Sequence, residues 1–149
     1  MKVLILTSDS LRHKYFSKKI NEYFSETLTL VEKKRNYYNT QKTNSELIRN
    51  HFKTIKLSER RWFEIDKSKQ PYFQIVDDIN NKSLFDSIKS QMFDVVFVFG
   101  TAILNEDWIS QFPKRIINLH LGLSPYYRGS ATLFWPFVNY ELEYLGTTI

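Results

Sequence analysis

The chain lacks several features that would narrow its function at once. It contains no cysteine among its 149 residues, which excludes a disulfide framework, a thiolate nucleophile and a cysteine-based zinc site. We therefore expect an ordinary reducing compartment, the cytoplasm. The apolar run at Val3–Leu6 is too short for a signal peptide, and no segment reaches the roughly 20 apolar residues that cross a bilayer. No membrane partner is expected.

Nucleotide-binding motifs and repeats are missing as well. The sequence contains neither a GxGxxG nor a GxxxxGK[ST] pattern, so a dinucleotide or P-loop nucleotide site lacks its usual signature. It also contains no internal repeat and no low-complexity tract. We predict neither NAD nor ATP as a cofactor.

The positive charge is concentrated in one segment. The formal net charge is +5, and residues 31–69 hold 11 Lys and Arg against 5 Asp and Glu. This pattern predicts a basic helical insertion at about 32–70. Such a segment is most often a solvated helix face, and the alternative is a patch for a phosphorylated substrate or a polyanion. No DNA-binding motif accompanies it, so we expect no DNA partner.

Predicted strands and helices alternate along the chain, and the length suits one domain over residues 1–149. This order predicts an α/β fold with an open, mainly parallel Rossmann-like sheet and helices on both faces. Phe134 and Trp135 are expected in the core. Strands are expected near 3–6, 27–31, 73–76, 94–99, 116–120 and 147–149, and helices near 11–24, 80–92, 105–112 and 130–140. A loop is expected over 33–43, followed by a helix from about Ser45 whose apolar face carries Leu47, Ile48, Phe52, Ile55, Trp62 and Phe63.

The segment Ile116–Gly129 is the most informative part of the sequence. Because strand side chains alternate between faces, Asn118 and His120 point to the same face. Ligands of open α/β sheets bind beyond the carboxyl ends of the strands, where the loops at 8–13, 100–104 and 118–128 would converge. An Asn amide and a His N–H can both donate to an oxygen that becomes negative during acyl transfer, and His also moves protons near neutral pH. A purely structural His at a strand end is the alternative.

The second half of the chain resembles the folate-dependent formyltransferase family. The matching residues are Phe93–Gly100 followed by Ile103–Leu104, then Asn118-Leu119-His120, Leu123–Gly129 and Gly146–Ile149, in the family's order and spacing. The resemblance implies transfer of a formyl group from 10-formyltetrahydrofolate, a one-carbon co-substrate, to an amine. It implies no metal.

Site residues follow from this resemblance. Asn118 and His120 are similar to the first two members of the family's catalytic Asn-His-Asp set and would stabilise the tetrahedral oxyanion. The residues expected at the folate are Phe99, Gly100, Thr101, Ala102, Ile103, Leu104, Leu123, Ser124, Pro125 and Gly129. Those expected at the substrate are Ser8, Asp9, Ser10, Arg12, Tyr127 and Arg128, whereas His13 and His51 are not expected to be catalytic.

The family's third catalytic residue has no counterpart in this sequence. The Asp is expected shortly after the strand at Gly146–Ile149, where the chain ends, and Asp77, Asp78, Asp94 and Asp107 are out of order for the role. We therefore expect a formyltransferase-like domain that is truncated at its carboxy-terminal end, and whether this chain alone is an active enzyme stays open. The alternative is a natural short form that binds folate or an amine without turnover. An incomplete sheet would favour self-association into a homo-oligomer.

The predicted function is N-formylation of a small amine, and an amino-sugar nucleotide is the preferred acceptor. The preference rests on the basic, aromatic-rich insertion and on the amino-acid sequence of the loop at 121–129. A methionyl-tRNA formyltransferase-like activity, with tRNA as partner, is the first alternative. A non-catalytic binding module is the second.

Overall fold

The computed structural model describes residues 1–33, 45–64, 71–129 and 131–149, except for the side chain of Ile48. Five parallel strands form one sheet in the order β3-β2-β1-β4-β5. The strands are β1 (Lys2–Ser8), β2 (Glu26–Glu32), β3 (Gln74–Val76), β4 (Val95–Phe99) and β5 (Ile116–Asn118). The helices are α1 (Leu11–Tyr23), α2 (Glu46–Phe63), α3 (Lys82–Ile88), α4 (Glu106–Gln111) and α5 (Trp135–Val138), followed by a short 3-10 helix at Leu142–Tyr144. The predicted α/β, Rossmann-like fold is confirmed.

The sheet carries helices on both faces. On one face, Leu4 and Leu6 of β1 pack in a buried cluster with Phe85 of α3 and Trp108 of α4. On the other face α1 lies against β1 and β2, and its buried Ser17 hydroxyl lies 3.1 Å from that of Thr29 in β2. Burial on both faces explains the nearly continuous apolar run of β1, which is typical of a parallel sheet.

The strand order reverses between β1 and β4. The chain runs outward from β1 to β2 and β3, then returns to place β4 on the other side of β1, with β5 beyond it. The loops that follow β1 and β4 therefore leave the sheet in opposite directions and open a crevice between their carboxyl ends. The fold thus creates a candidate binding site beside Ser8 and Phe99.

Two helices begin at asparagine caps, for which the sequence offers Asn80 or Asn81 at α3 and Asn105 at α4. The side chain of Asn81 accepts a hydrogen bond from the backbone N–H of Leu84 at 3.1 Å, and Asn105 does the same for Trp108 at 3.4 Å. These bonds satisfy backbone donors that the first turn of a helix leaves unpaired. Trp108 is fully buried, and its indole N–H donates to the carbonyl of Ile79 at 3.0 Å.

Helix α2 forms where the sequence predicts it, but most of its apolar face is not covered. It lies against α1 through the Arg12–Glu59 ion pair and the Tyr15–Phe63 ring contact. Leu47 and Trp62 are 80% and 68% exposed, so they do not pack as predicted, and Ile55 is exposed too. Among the described residues, the ion pair and the ring contact join α2 to α1 along one stripe of its surface. The predicted loop at 33–43 lies almost entirely outside the described residues.

The carboxy-terminal region is less regular than the sequence indicates. The predicted helix over 130–140 is reduced to the single turn of α5, because Ala131 and Tyr140 have φ angles of 54° and 58°, which a right-handed helix does not allow. Phe134 and Trp135 are 56% and 47% exposed, so their placement in the core was wrong. Near 147–149 the chain forms an antiparallel bridge between Thr148 and His120 instead of a full strand.

Candidate functional site

A cleft of about 950 Å³ opens at the carboxyl ends of β4 and β5 and beside the start of α1. Its walls are the end of β4 with the loop to Leu104, the end of β5 with the loop to Gly129, and the first turn of α1. This is where the reversal of strand order predicts a ligand site. The described lining residues are Arg12, His13, Val98–Leu104, Ile109, Ile116, Asn118–Leu121, Ser124, Arg128, Gly129, Ala131, Thr132, Thr148 and Ile149.

Asn118 and His120 both line this cleft. Asn118 is the last residue of β5 and pairs with Val98 of β4. Its side chain is exposed and makes no hydrogen bond to any residue that the structure describes, so the amide is available to a ligand. The Nε2 of His120 lies 3.1 Å from the carbonyl oxygen of Tyr127, and the Nδ1 has no hydrogen-bond partner within the described ranges.

Thr148 holds the chain on both sides of His120. The backbone N–H groups of His120 and Thr148 each donate to the other's carbonyl at 2.9 Å. The Thr148 hydroxyl donates to the carbonyl of Gly122 at 2.8 Å and accepts from the N–H of Ser124 at 2.9 Å. The bridge to 146–149 therefore fixes the turn that follows the candidate catalytic pair.

Gly100 lets the chain leave β4 directly over a buried histidine. It has a φ of +76°, and a Cβ at this position would lie 2.6 Å from the Nε2 of His13. The imidazole of His13 is 3% exposed, is hydrogen-bonded through Nδ1 to the Ser8 hydroxyl, and stands edge-on to Phe99 with ring centroids 4.3 Å apart. Only glycine combines this backbone angle with such a close approach.

The loop from Gly100 to Leu104 is braced by two polar side chains from neighbouring strand ends. The carboxylate of Glu32, at the end of β2, accepts from the N–H of Ala102 at 2.7 Å and from that of Ile79 at 3.0 Å. Asn80 donates to the carbonyl of Ile103 and accepts from the N–H of Asn105, both at 2.9 Å. One wall of the cleft is therefore preorganised although Ile103 itself is 93% exposed.

The charged groups of the cleft are basic. Arg12 and Arg128 line it together with the imidazoles of His13 and His120, and no Asp or Glu side chain is among its described lining residues. Arg12 pairs with Glu59 of α2, and its Nε is buried without a partner in the described part of the chain. Arg128 is exposed and forms no ion pair with a described residue. The site therefore suits a ligand that carries negative charge.

The structure brings most of the predicted site residues together, although their roles stay predictions. Asn118 and His120 line the cleft, as do Arg12, Arg128 and eight of the ten predicted folate contacts: Phe99, Gly100, Thr101, Ala102, Ile103, Leu104, Ser124 and Gly129. Ser8, Asp9, Ser10, Leu123, Pro125 and Tyr127 are not among the lining residues. Ser8 is buried, 1% exposed, behind His13.

Tyr127 lies on the inner side of its loop. Its side chain is 8% exposed, and its hydroxyl donates to the Glu141 carboxylate and accepts from the Asn139 amide at 3.0 Å. The hydrogen bond to Glu141, with desolvation, raises the pKa of the Tyr127 hydroxyl above its ordinary value. The side chain of Tyr127 therefore has a structural role. It does not line the cleft, so the predicted contact with the substrate is not supported.

Sequence reasoning placed the loop at 8–13, which includes His13, at this edge of the sheet, and His13 lines the cleft. Thr132 and Thr148 line it too, and sequence reasoning named neither as a site residue. Thr148 lies within the matching Gly146–Ile149 segment, but only the antiparallel bridge shows that it contacts the loop after His120. Asp77, Asp78, Asp94 and Asp107 are not among the lining residues.

Among residues 1–33, 45–64, 71–129 and 131–149, no helix is long and apolar enough to cross a membrane. The same ranges hold no group of three His, Asp or Glu side chains that could ligate a metal ion.

Comparison with known proteins gives sequence relatives and structural neighbours of one kind. No family model matches the chain. It is 44% identical over 55 residues to a methionyl-tRNA formyltransferase of Desulforamulus reducens, covering 37% of this chain and 17% of the relative. It is 35% identical over 86 residues to that of Clostridium acetobutylicum, covering 56% of this chain and 27% of the relative. The matched stretches thus span well under a third of either relative.

Solved structures share the fold over most of the chain. A phosphoribosylglycinamide formyltransferase from Anaplasma phagocytophilum superposes with a TM-score of 0.56 at 14% identity, covering 93% of this chain and 58% of that one. A formyltetrahydrofolate deformylase from Pseudomonas syringae superposes with a TM-score of 0.50 at 12% identity, covering 93% and 42%.

Fold and site together define an open parallel α/β protein with a cleft at the point where strand order reverses and an Asn-x-His pair on its wall. The resemblance to the folate-dependent formyltransferases is confirmed: the chain is related in sequence to methionyl-tRNA formyltransferases and has the fold of formyltransferases.

Proposed function

We propose that this domain carries out formyl transfer from 10-formyltetrahydrofolate to an amine. The observation that carries the proposal is the placement of Asn118 and His120 side by side along one cleft, opposite the braced loop from Gly100 to Leu104. The relatives bear the names of formyltransferases, which supports the same reaction class. Neither argument depends on the acceptor.

The cleft fits a large, partly aromatic co-substrate. Its volume of about 950 Å³ lies within the range of roughly 300–1,000 Å³ that is usual for ligand sites. Its loop wall combines an exposed apolar residue, Ile103, with backbone held in place by Glu32 and Asn80. Gly100, Thr101, Ala102 and Leu104 would contact this group, and Ser124 and Gly129 would contact it from the opposite loop. When bound, 10-formyltetrahydrofolate supplies the formyl group.

The chain's own residues orient the reactants and handle charge. The amide of Asn118, which lines the cleft, donates a hydrogen bond to an oxygen that gains negative charge, and a donor held in place by the fold is effective in this role. His120, when protonated, donates to the same oxygen, and when neutral it takes the proton that the amine releases. In the described part of the chain no carboxylate contacts His120.

The acceptor is the finer part of the proposal. An amino-sugar nucleotide, preferred from the sequence, and a methionyl-tRNA are both amines linked to phosphate, and Arg12 and Arg128 at the cleft suit either one. The sequence relatives carry the methionyl-tRNA name and lend no support to the amino sugar. We therefore place methionyl-tRNA beside the amino-sugar nucleotide as an equal candidate.

A transfer assay on this chain tests the reaction. Purified protein is incubated with 10-formyltetrahydrofolate and, in separate arms, with methionyl-tRNA, amino-sugar nucleotides or simple amines, and the formylated product is measured. We expect product with one phosphate-linked amine, and His120→Ala should lower the rate by about 100-fold or more because general acid–base catalysis contributes about that much. His51→Ala, on the exposed face of α2, is the matched control and should retain the rate.

The outcomes separate the three functions considered. Activity with methionyl-tRNA, or with an amino-sugar nucleotide, identifies the acceptor class. Binding of a folate analogue without transfer to any amine would favour a binding module over an enzyme. Wild-type turnover by a folded His120→Ala variant would refute the chemical role of the Asn118–His120 pair.

A further inference from the structure

Tyr127 contacts His120 through its backbone and not through its side chain. The His120 Nε2 lies 3.1 Å from the Tyr127 carbonyl oxygen. A carbonyl oxygen has no proton to give, so the Nε2 must carry the hydrogen and donate it. Neutral His120 is therefore the Nε2–H tautomer, and its lone pair is on Nδ1, which has no partner among the described residues.

Tyr127 is held through its backbone N–H, its ring and its hydroxyl. The Tyr127 N–H donates to the carbonyl of Leu123 at 2.9 Å, which closes the turn after His120. The ring is buried, and the hydroxyl bridges Glu141 and Asn139 in the segment just after α5. A charged acceptor makes this hydrogen bond stronger than an ordinary neutral one. The hydroxyl thus ties the loop that carries the carbonyl to a second segment of the chain.

Glu141 and Asn139 are in turn fixed by the turn of α5. The backbone N–H of Asn139 donates to the carbonyl of Trp135, and that of Glu141 donates to the carbonyl of Pro136, both at 2.9 Å. A continuous set of hydrogen bonds therefore runs from α5 through the Tyr127 side chain and backbone to the imidazole of His120. No member of this set between α5 and His120 lines the cleft.

We propose that Tyr127 is a positioning residue that sets the tautomer of His120 and makes Nδ1 the nitrogen that reacts. The tautomer follows from the hydrogen bonds alone, whereas the role of Nδ1 in the reaction rests on the proposed function. Neutral His120 accepts the amine proton at Nδ1, while Nε2–H remains bonded to the Tyr127 carbonyl. The resulting imidazolium donates from Nδ1, so the ring need not turn over between the two states.

The tautomer is measured directly, without any reaction. Long-range proton–nitrogen correlation on protein labelled with ¹⁵N-histidine distinguishes protonated from unprotonated ring nitrogens, and the His120→Ala spectrum identifies the signals of His120 among the three histidines. We expect the Nε2–H tautomer to dominate in the neutral imidazole of the unmodified chain. A proton on Nδ1 instead would overturn the proposal whatever the activity assay shows.

Variants then test the link through the hydroxyl. Tyr127→Phe keeps the ring and removes only the bonds to Glu141 and Asn139, so we expect a mixture of His120 tautomers and a kcat lowered about three- to tenfold, the range that one lost hydrogen bond supports. The KM for folate and acceptor should change by less than about twofold, because Tyr127 does not line the cleft. Tyr140→Phe, at a 91% exposed tyrosine, is the control and should change neither quantity.

Glu141 provides a second route to the same result. Glu141→Ala leaves the Asn139 amide on the Tyr127 hydroxyl, so it should shift the tautomer in the same direction as Tyr127→Phe and by no more. Glu141→Gln should largely keep the tautomer because its amide oxygen still accepts from the hydroxyl, and the double variant Tyr127→Phe/Glu141→Ala should lose no more than Tyr127→Phe alone. The Glu141 pair decides the matter if Tyr127→Phe fails to fold. Unchanged tautomer and kcat in folded Tyr127→Phe or Glu141→Ala would refute the positioning role, and absent transfer in the unmodified chain would refute the proposed function alone.

Discussion

At the scale of single residues, two buried side chains in this molecule donate hydrogen bonds to backbone carbonyls of distant segments. Thr7 donates its hydroxyl to the carbonyl of Phe99 at 2.9 Å, and Trp108 donates its indole N–H to Ile79. Each bond connects segments that are far apart in sequence. A buried polar atom left without its partner costs the desolvation of that group, so these contacts specify which loops meet at the cleft.

Replacing Trp108 tests this at one position. Trp108→Phe should lower the free energy of unfolding by about 2–4 kcal/mol, because it removes buried ring volume and leaves the carbonyl of Ile79 unpaired. Urea denaturation followed by circular dichroism measures the change. Trp62→Phe, at a 68% exposed site on α2, should stay within about 0.5 kcal/mol, and equal losses in the two variants would contradict the account.

At the scale of elements, the junction between β4 and its loop depends on α1. The end of β4 is bonded to Thr7 of β1, and Gly100 passes over the imidazole of His13. Local sequence predicted a strand that ends at Gly100, and the structure agrees. The sequence did not show that His13 leaves no room for a side chain at position 100, because His13 lies 87 positions away. Glycine is therefore required there by the close contact as well as by its backbone angle.

Two glycines separate these two requirements. Gly100→Ala should destabilise the fold by about 3 kcal/mol or more, since a left-handed φ costs an L-residue roughly 1–2 kcal/mol and the overlap with His13 adds to it. Gly129→Ala shares the positive φ, at +92°, but its Cβ would meet nothing within 4 Å, so it should cost only about 1 kcal/mol. Thermal unfolding measures both, and equal losses would show that the contact with His13 is not limiting.

At the scale of the whole molecule, the cleft joins segments from both halves of the sheet. The start of α1 and the loops after β4 and β5 line it, and Glu32 at the end of β2 and Asn80 in the segment after β3 brace it. A ligand in this cleft therefore needs the complete arrangement and binds the folded state only. Ligand binding and folding should be thermodynamically linked.

A folate analogue that cannot transfer its formyl group tests this linkage. At about 100 times its dissociation constant it should stabilise the fold by about 2.7 kcal/mol, which corresponds to a rise in Tm of roughly 5–10 °C for a chain of this size. Amide hydrogen exchange should slow at 100–104 and 118–129 and stay unchanged in α2. The absence of any shift at millimolar analogue would remove the support for folate in this cleft.

Strand and helix patterns were predictable because each reflects local burial. The buried runs of β1 and β4 and the caps at Asn81 and Asn105 could be identified from neighbouring residues alone. The burial of α2 and α5 could not be predicted in this way. The exposure of Leu47, Trp62 or Trp135 depends on which part of the protein packs against the helix. The same holds for the inward side chain of Tyr127, because the partners Glu141 and Asn139 come together with it only after the chain turns back.

The sequence by itself determined the α/β class and the shared face of Asn118 and His120, because the alternation of elements and the periodicity of a strand are local properties. Most of the loop residues that line the cleft were indicated by the resemblance to the formyltransferase family. Tertiary structure alone decided the order of the strands, the bracing of the loop after β4 by Glu32 and Asn80, and the close approach of His13 to Gly100. It also decided which nitrogen of His120 holds a proton, since that depends on the Tyr127 carbonyl. These features arise from contacts between distant segments, whose geometry exists only once the chain has folded.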